Sequence, residues 1–454
     1  MAIGAIVGLS EFSAGLQFTD LPPEVVKQAK VFLLDSVGCA YAAYKEDPKK
    51  AKIAARVASS FGPGSALVIN GDMTHPAAAA LANGILTNAA DNDDTHKRAL
   101  VHIGSVVVPG ALAAAMAKQV DARELLVSLV VGYEVTARVG MAVMPTHYRF
   151  WHSTATNGTF GAAAAAARAW QMSAEQMRTV LGFAGTQAAG LNTFFESGDD
   201  SKSVHPGKAA MNGILSALLT DFGATSPPDI FEHPKGYLAA YSLEPKPESL
   251  TSGLGQTWEI LQNGFKFYPS ILASHSPIGA TLEILSKGGI QPSDVARVEV
   301  RTYATVKSHF SSKHIHNSMA SRLSVPYCVA AALVDGEITQ KQFSAERFND
   351  PTIREMLAKV EILADDELTP LYPEKFPARV VIHLNDGQQR EATFMYPKGD
   401  PNNPLSEEEL IKKFRDNLDG VVSAHHSESI VDLIQNLEKV KLPDLFRLLK
   451  KQDK

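Results

Sequence analysis

The sequence predicts a mainly α protein, with a large all-helical domain and a smaller α+β domain, and three observations carry that prediction. A chain of 454 residues is longer than one hydrophobic core usually serves, so two domains are expected. The first 265 or so residues are rich in alanine and in apolar residues recurring at helical spacing, while the texture after Pro269 turns to alternation with period two. The expected division is 1–268 for the helical domain, 269–404 for the α+β domain, and 405–454 for C-terminal helices that return to the first domain.

From Pro22, Val25, Ala29, Phe32, Leu33 and Val37 fall on one side of a 3.6-residue period, and proline sits at the start, where its missing amide is harmless. A core helix follows. His75 to Asn88 is almost wholly small and apolar, and Pro109 to Lys118 repeats that character after a proline start. Arg123 to Met144 and Gly161 to Trp170 continue the pattern, Ser173 reads as a helix start, and Lys208 to Leu219 is expected to open a further helix after Pro206 and Gly207. Helices this rich in alanine allow close backbone approach.

Beyond Pro269, Val295 to Val306 alternates as a half-buried strand does. Phe376 to Asp386 and Gln388 to Phe394 form a hairpin candidate, because Asn385, Asp386 and Gly387 tolerate left-handed turns. Leu405 to Leu418 places three glutamates before its lysines, the charge order a helix dipole favours. Ser427 to Leu437 and Leu442 to Leu449 complete the helices.

Composition narrows the function classes. Hydrophobic residues are 45% and charged residues 20%, as in ordinary globular chains, and the net charge of -6 argues against a broad nucleic-acid surface. Two cysteines, Cys39 and Cys328, cannot build a disulfide scaffold or a four-cysteine zinc site. The apolar run Ala2 to Leu9 is too short for a membrane span and has no basic region before it, so a cytoplasmic protein without membrane association is expected. Phosphate-loop, dinucleotide-binding, HExxH and paired CxxC patterns are absent, and no metal or other cofactor is expected.

The polar residues cluster at the entrances of apolar segments. Asp91-Asn92-Asp93-Asp94-Thr95-His96 precedes His102, and four ionisable side chains there require solvent, one another or a ligand as compensation. An acidic capping loop and a metal site are the plainer alternatives. His152 opens a stretch with Thr154, Thr156, Asn157 and Thr159, which either caps a helix at 161 or presents donors to a carboxylate. Ser153 lacks the strand-elbow context of a serine nucleophile. Lys208, expected in a first helical turn, opposes the helix dipole, so an anion beside it makes physical sense; an ordinary surface lysine is the alternative. Lys266, His275, Arg322 and Tyr327 lie around the second domain and are candidates for carboxylate binding or proton donation.

In their order and spacing, DNDDTH, GYEVTARVG at 132–140, WHSTATNGTFGAAAAAA at 151–167, HPGKAAMNGILSALL at 205–219, KFYPSILASH, SRLSVPYCVAAAL and PNNPLSEEELIKKF resemble the MmgE/PrpD family across nearly the whole chain. Its members include 2-methylcitrate dehydratases, cis-aconitate decarboxylases and an iminodisuccinate epimerase. The resemblance implies that the α+β domain acts as a lid, that the chain forms a homodimer, and that the substrate is a small di- or tricarboxylate. It points to Asp91, Thr95, His102, His152, Lys208, Lys266 and Tyr327 as pocket residues, with His96 competing with His102; Thr154, His275 and Arg322 are further substrate contacts expected from their own hydrogen-bonding chemistry. The expected activity is a cofactor-independent hydro-lyase like 2-methylcitrate dehydratase. His152 is assigned to proton transfer, Asp91 to base or orienter, and Lys208 and Lys266 to charge neutralisation. A carboxy-lyase, an epimerase and a non-enzymatic helical dimer are the alternatives.

Overall fold

The computed structural model describes residues 4–451; Ala2 and Ile3 of the N-terminal apolar run, and residues 452–454 at the end of the C-terminal segment, lie outside them. The described chain is mainly α and divides into two compact units. The first holds the chain up to Asn192, Asp200–Asn263 and the chain from Ser406; the second holds Thr193–Asp199 and Gly264–Leu405.

Helix α1 (Pro23–Glu46) starts on proline and buries Val25, Ala29, Phe32, Leu33 and Val37, the face its period indicates. It is followed by α2 (Pro76–Asn88), α3 (Gly104–Lys118), α4 (Ala122–Val143), α5 (Ser153–Ala169), α6 (Ala174–Gln187) and α7 (Ser201–Asp221). In α6, Ser173 and Gln176 form a reciprocal capping box. By length and composition α4 resembles a membrane span, yet 94% of its apolar window is buried inside the protein. It is a core helix.

Three helices begin earlier than expected, and each difference has a physical reason. Pro109 and Pro206 do not open α3 and α7 but sit inside them, as the sixth residue of each. An interior proline removes one backbone bond at a cost of roughly 3 kcal/mol; burial of the surrounding apolar residues outweighs it. The polar stretch before residue 161 is not a loop either. Ser153, Thr154, Thr156, Asn157 and Thr159 are all buried within α5. Each finds an internal partner: the Thr159 hydroxyl donates to Ala155 O at 2.8 Å, and Tyr237 O–H donates to Asn157 Oδ1 at 2.7 Å.

Small residues set the helix spacing. A Cβ on Gly161 of α5 would lie 1.7 Å from Thr136 Oγ1 on α4. Gly84 of α2 and Gly207 of α7 meet in the same way: a Cβ on Gly84 would lie 2.5 Å from Gly207 Cα, and one on Gly207 would lie 2.2 Å from Leu81 O.

In the second unit, α8 (His275–Ser286), α9 (Val325–Asp335) and α10 (Pro351–Lys359) accompany a four-stranded sheet. Its strands are β1 (Val295–Thr302), β2 (Val360–Ala364), β3 (Ala378–Leu384) and β4 (Gln389–Phe394), in the order β2-β1-β3-β4. The hairpin β3–β4 is antiparallel with Ile382 opposite Arg390, and Gly387 takes φ +86°, the left-handed turn its sequence indicates. β1 stops at Thr302, short of Val306, because Ala304–His309 turns helical, and β1 pairs parallel with β2.

The chain then contributes α11 (Glu407–Leu418), α12 (Ala424–Gln435) and α13 (Leu442–Leu449) to the first unit. Ser406 and Glu409 cap α11 reciprocally. A Cβ on Gly38 of α1 would lie 2.8 Å from Phe414 Cδ2, so α11 lies close against α1.

Candidate active site

The acidic segment after α2 is buried throughout, and each acid has its own compensation. Asp91 takes φ +53° and lies 2.6 Å from Lys202 Nζ; their side chains are 0% and 4% exposed. Both Asp93 oxygens accept from Asn88 Nδ2, at 3.0 and 2.9 Å. Asp94 accepts from Gly104 N at 2.7 Å, from Tyr133 O–H at 2.7 Å and from Asn263 Nδ2 at 2.6 Å. Burial, with Asp35 and Asp93 nearby, still pushes Asp94 up to about 7. Asp94 is therefore tied to the start of α3 and to the core.

His96 and His102 part company at this segment. His96 is fully buried; its Nδ1 accepts from Ala99 N at 3.2 Å, so Nε2 carries the hydrogen that points to Glu259 Oε2, 3.2 Å away. Arg98 also holds Glu259, at 2.6 Å. His102 keeps partial exposure. Its Nδ1 lies 2.9 Å from the Asp94 carbonyl and 3.0 Å from Thr95 Oγ1, with Asp93 Oδ2 at 3.9 Å. A carbonyl can only accept, so Nδ1 bears the hydrogen and Nε2 is the basic nitrogen of the neutral ring.

His152 lies at the N-cap of α5 with its ring centroid 6.5 Å from that of His102. Its Nδ1 is 3.0 Å from Nδ1 of His205 on α7, so one ring donates and the other accepts, and the two cannot both be cations in this geometry. Burial first, then electrostatic repulsion of a second proton by His205, Lys202 and His102, holds His152 well below the ordinary histidine range. Thr154 Oγ1 accepts the His102 backbone N–H at 3.1 Å, so it places a histidine.

Asp91, Thr95, His102, His152 and Thr154 are thus brought together, joined by Asp93, Lys202 and His205. Lys208 is not in a first helical turn, because α7 starts at Ser201; its ammonium donates to Ala189 O at 3.3 Å and is half-buried, which lowers its pKa. The adverse-dipole argument belongs instead to Lys202, and Asp91 supplies the anion. Lys202 and His205 stand three residues apart, the spacing of one helix face, a signal hidden by reading the helix as beginning after Pro206.

The remaining candidates lie in the second unit. Lys266 and His275 are buried there, with His275 edge-on to Tyr268 at 5.3 Å. Arg322 donates to Pro269 O at 2.7 Å and stacks over Phe343 at 4.7 Å. Tyr327 O–H donates to Gln342 O, and burial raises its pKa. The Tyr327 hydroxyl thus fastens a backbone carbonyl within this unit. Among the described residues, no three His, Cys, Asp or Glu side chains converge so as to hold a metal ion.

The chain matches the family model of the MmgE/PrpD N-terminal domain over residues 7–250 and that of the MmgE/PrpD C-terminal domain over residues 268–439. Cis-aconitate decarboxylase of Aspergillus terreus is 27% identical, the match covering 98% of this chain and 95% of that protein. Cis-aconitate decarboxylase of Homo sapiens is 27% identical over 94% of this chain and 90% of its own. A probable 2-methylcitrate dehydratase of Saccharomyces cerevisiae is 30% identical, over 26% of this chain and 24% of its own.

Proposed function

Because the chain belongs to the MmgE/PrpD family, we propose that it is a carboxy-lyase acting on a small unsaturated polycarboxylate of the cis-aconitate type. The observation that carries this reading is the grouping in one unit of the buried His152 and Lys202–Asp91 pair with the partly exposed His102 and His205. Such a carboxylate needs a cation to hold it and an acid to deliver one proton. The full-length relatives named above bear the decarboxylase name, whereas the dehydratase match spans about a quarter of the chain. The hydro-lyase expected from sequence therefore becomes the second reading.

In the proposed reaction the C–C bond to one carboxylate breaks and its electron pair forms a new double bond. The former π pair takes a proton at the far carbon, and CO2 leaves. Lys202, oriented by Asp91, neutralises a carboxylate; His152, held neutral by burial, becomes a competent acid once an anion beside it stabilises the imidazolium. His102, with its Nδ1 hydrogen fixed on the Asp94 carbonyl, offers Nε2 to the same proton path. The proposed assembly is a homodimer. Exposed Leu219 in the last turn of α7 and exposed Phe222 just after it support it, and light scattering at twice the chain mass tests it.

Product analysis by NMR and mass spectrometry on cis-aconitate, citrate and 2-methylcitrate tests the reaction. CO2 released from cis-aconitate is the expected result. Water lost from 2-methylcitrate without CO2 would transfer the assignment to the hydro-lyase, and no change in any acid would remove both readings.

A further inference from the structure

The acidic segment is held from behind by a helix more than 300 residues away in sequence. Lys413, on α11, extends its ammonium to Asp35 Oδ1 on α1 at 2.6 Å and to the backbone carbonyl of Asn92 at 2.8 Å. The lysine side chain is 10% exposed and the aspartate 4%. Asn417, one turn on, lies 3.4 Å from Asn92 Nδ2, and Cys39 Sγ lies 3.3 Å from the same Asn92 carbonyl. Asn92 stands between Asp91, which pairs with Lys202, and Asp93, which faces His102. A backbone carbonyl turned into a buried, acid-rich region is costly unless a strong donor meets it.

We propose that Lys413 is a positioning residue for the site: by binding the Asn92 carbonyl and Asp35 together, it seats the segment that carries Asp91, Asp93 and Thr95, so that α11 governs turnover without touching substrate. The effect on turnover rests on the catalytic reading of that segment; the seating itself does not. A purely structural ion pair would behave differently. Removing both of its charges would leave neither group stranded and would restore the protein in full.

The test compares the full-length chain with Lys413→Met, Lys413→Arg, the double variant Asp35→Asn/Lys413→Met, and the control Arg415→Ala. The control, on the same helix as Lys413, breaks an exposed pair between Arg415 and Glu428 of α12. Melting temperature, hydrogen exchange of the peptide 89–97, and kcat and KM on cis-aconitate are read together. Lys413→Met is expected to melt lower, and the double variant to recover most of that loss. In the double variant, peptide 89–97 should still exchange at least about tenfold faster, and kcat should stay about tenfold or more down with KM little changed. Lys413→Arg should rescue part of both, and Arg415→Ala should change neither.

A stable double variant with normal exchange and normal kcat would overturn the proposal. If the wild-type chain turns over none of the acids, the carboxy-lyase reading fails while the exchange measurement still decides the seating. Normal exchange in that case would overturn the proposal as well.

Discussion

Lys202 and Lys208 stand six residues apart on α7, which places them about 120° apart around the helix axis. Both cannot serve one pocket from one helix. Lys202→Met strands a buried Asp91, so we expect turnover to fall by about 100-fold or more and stability by roughly 3–5 kcal/mol. Lys208→Met should stay within about 0.5 kcal/mol of wild type with nearly unchanged turnover. Denaturant melts and rate assays on the two variants side by side check this; equal losses would contradict the placement. His147 offers a second test. Burial holds it at about 4, below the ordinary 6.5, and its ring bonds Thr156 Oγ1 at 2.8 Å and Tyr241 O at 3.0 Å. The unfolded chain therefore takes up a proton that the folded chain refuses, so stability falls as pH drops from 6.5 towards 4. His147→Gln should be the less stable protein at neutral pH. Its deficit should shrink by up to about 3 kcal/mol as pH is lowered to 4, as read from urea melts across that range.

At the level of elements, what was legible depended on whether a helix has a wet side. The first turns of α1 show their phase because Glu24, Lys27 and Lys30 mark an outer face there, and the β3–β4 hairpin shows its turn because Gly387 must take positive φ. α5 is buried along its whole length, so no polar face marks where it begins, and its buried threonines imitate a loop. Pro206 misled for a related reason: it sits inside α7, where packing against α2 outweighs its missing hydrogen bond. That packing is testable. In Gly207→Ala the new Cβ would meet the Leu81 carbonyl, a backbone atom that cannot swing aside, so we expect a loss of about 1–3 kcal/mol. Because α7 also carries Lys202, activity should fall with it. A thermally unchanged Gly207→Ala protein would show that the two helices can separate freely.

For the whole molecule, the first unit is built from three separate stretches of chain, and its last stretch supplies Lys413 and Phe414 against Asp35 and Gly38. Ending the chain after Leu405 would expose that face of α1 and leave Asp35 without its lysine. The truncated protein should lose its cooperative melt by circular dichroism; a melt within a few degrees of the full chain would refute this. The sequence by itself determined the helical class, the α+β texture after Pro269, the family, and the polar stretches that hold the site, because composition, period and motif order are local properties. Only the tertiary structure decided that His102 and not His96 faces His152, that Lys202 and not Lys208 meets Asp91, and that a C-terminal lysine braces the acidic segment. Those choices depend on the rotation of buried helices and on charge pairs between distant segments, and neither leaves a mark on nearest neighbours in the chain.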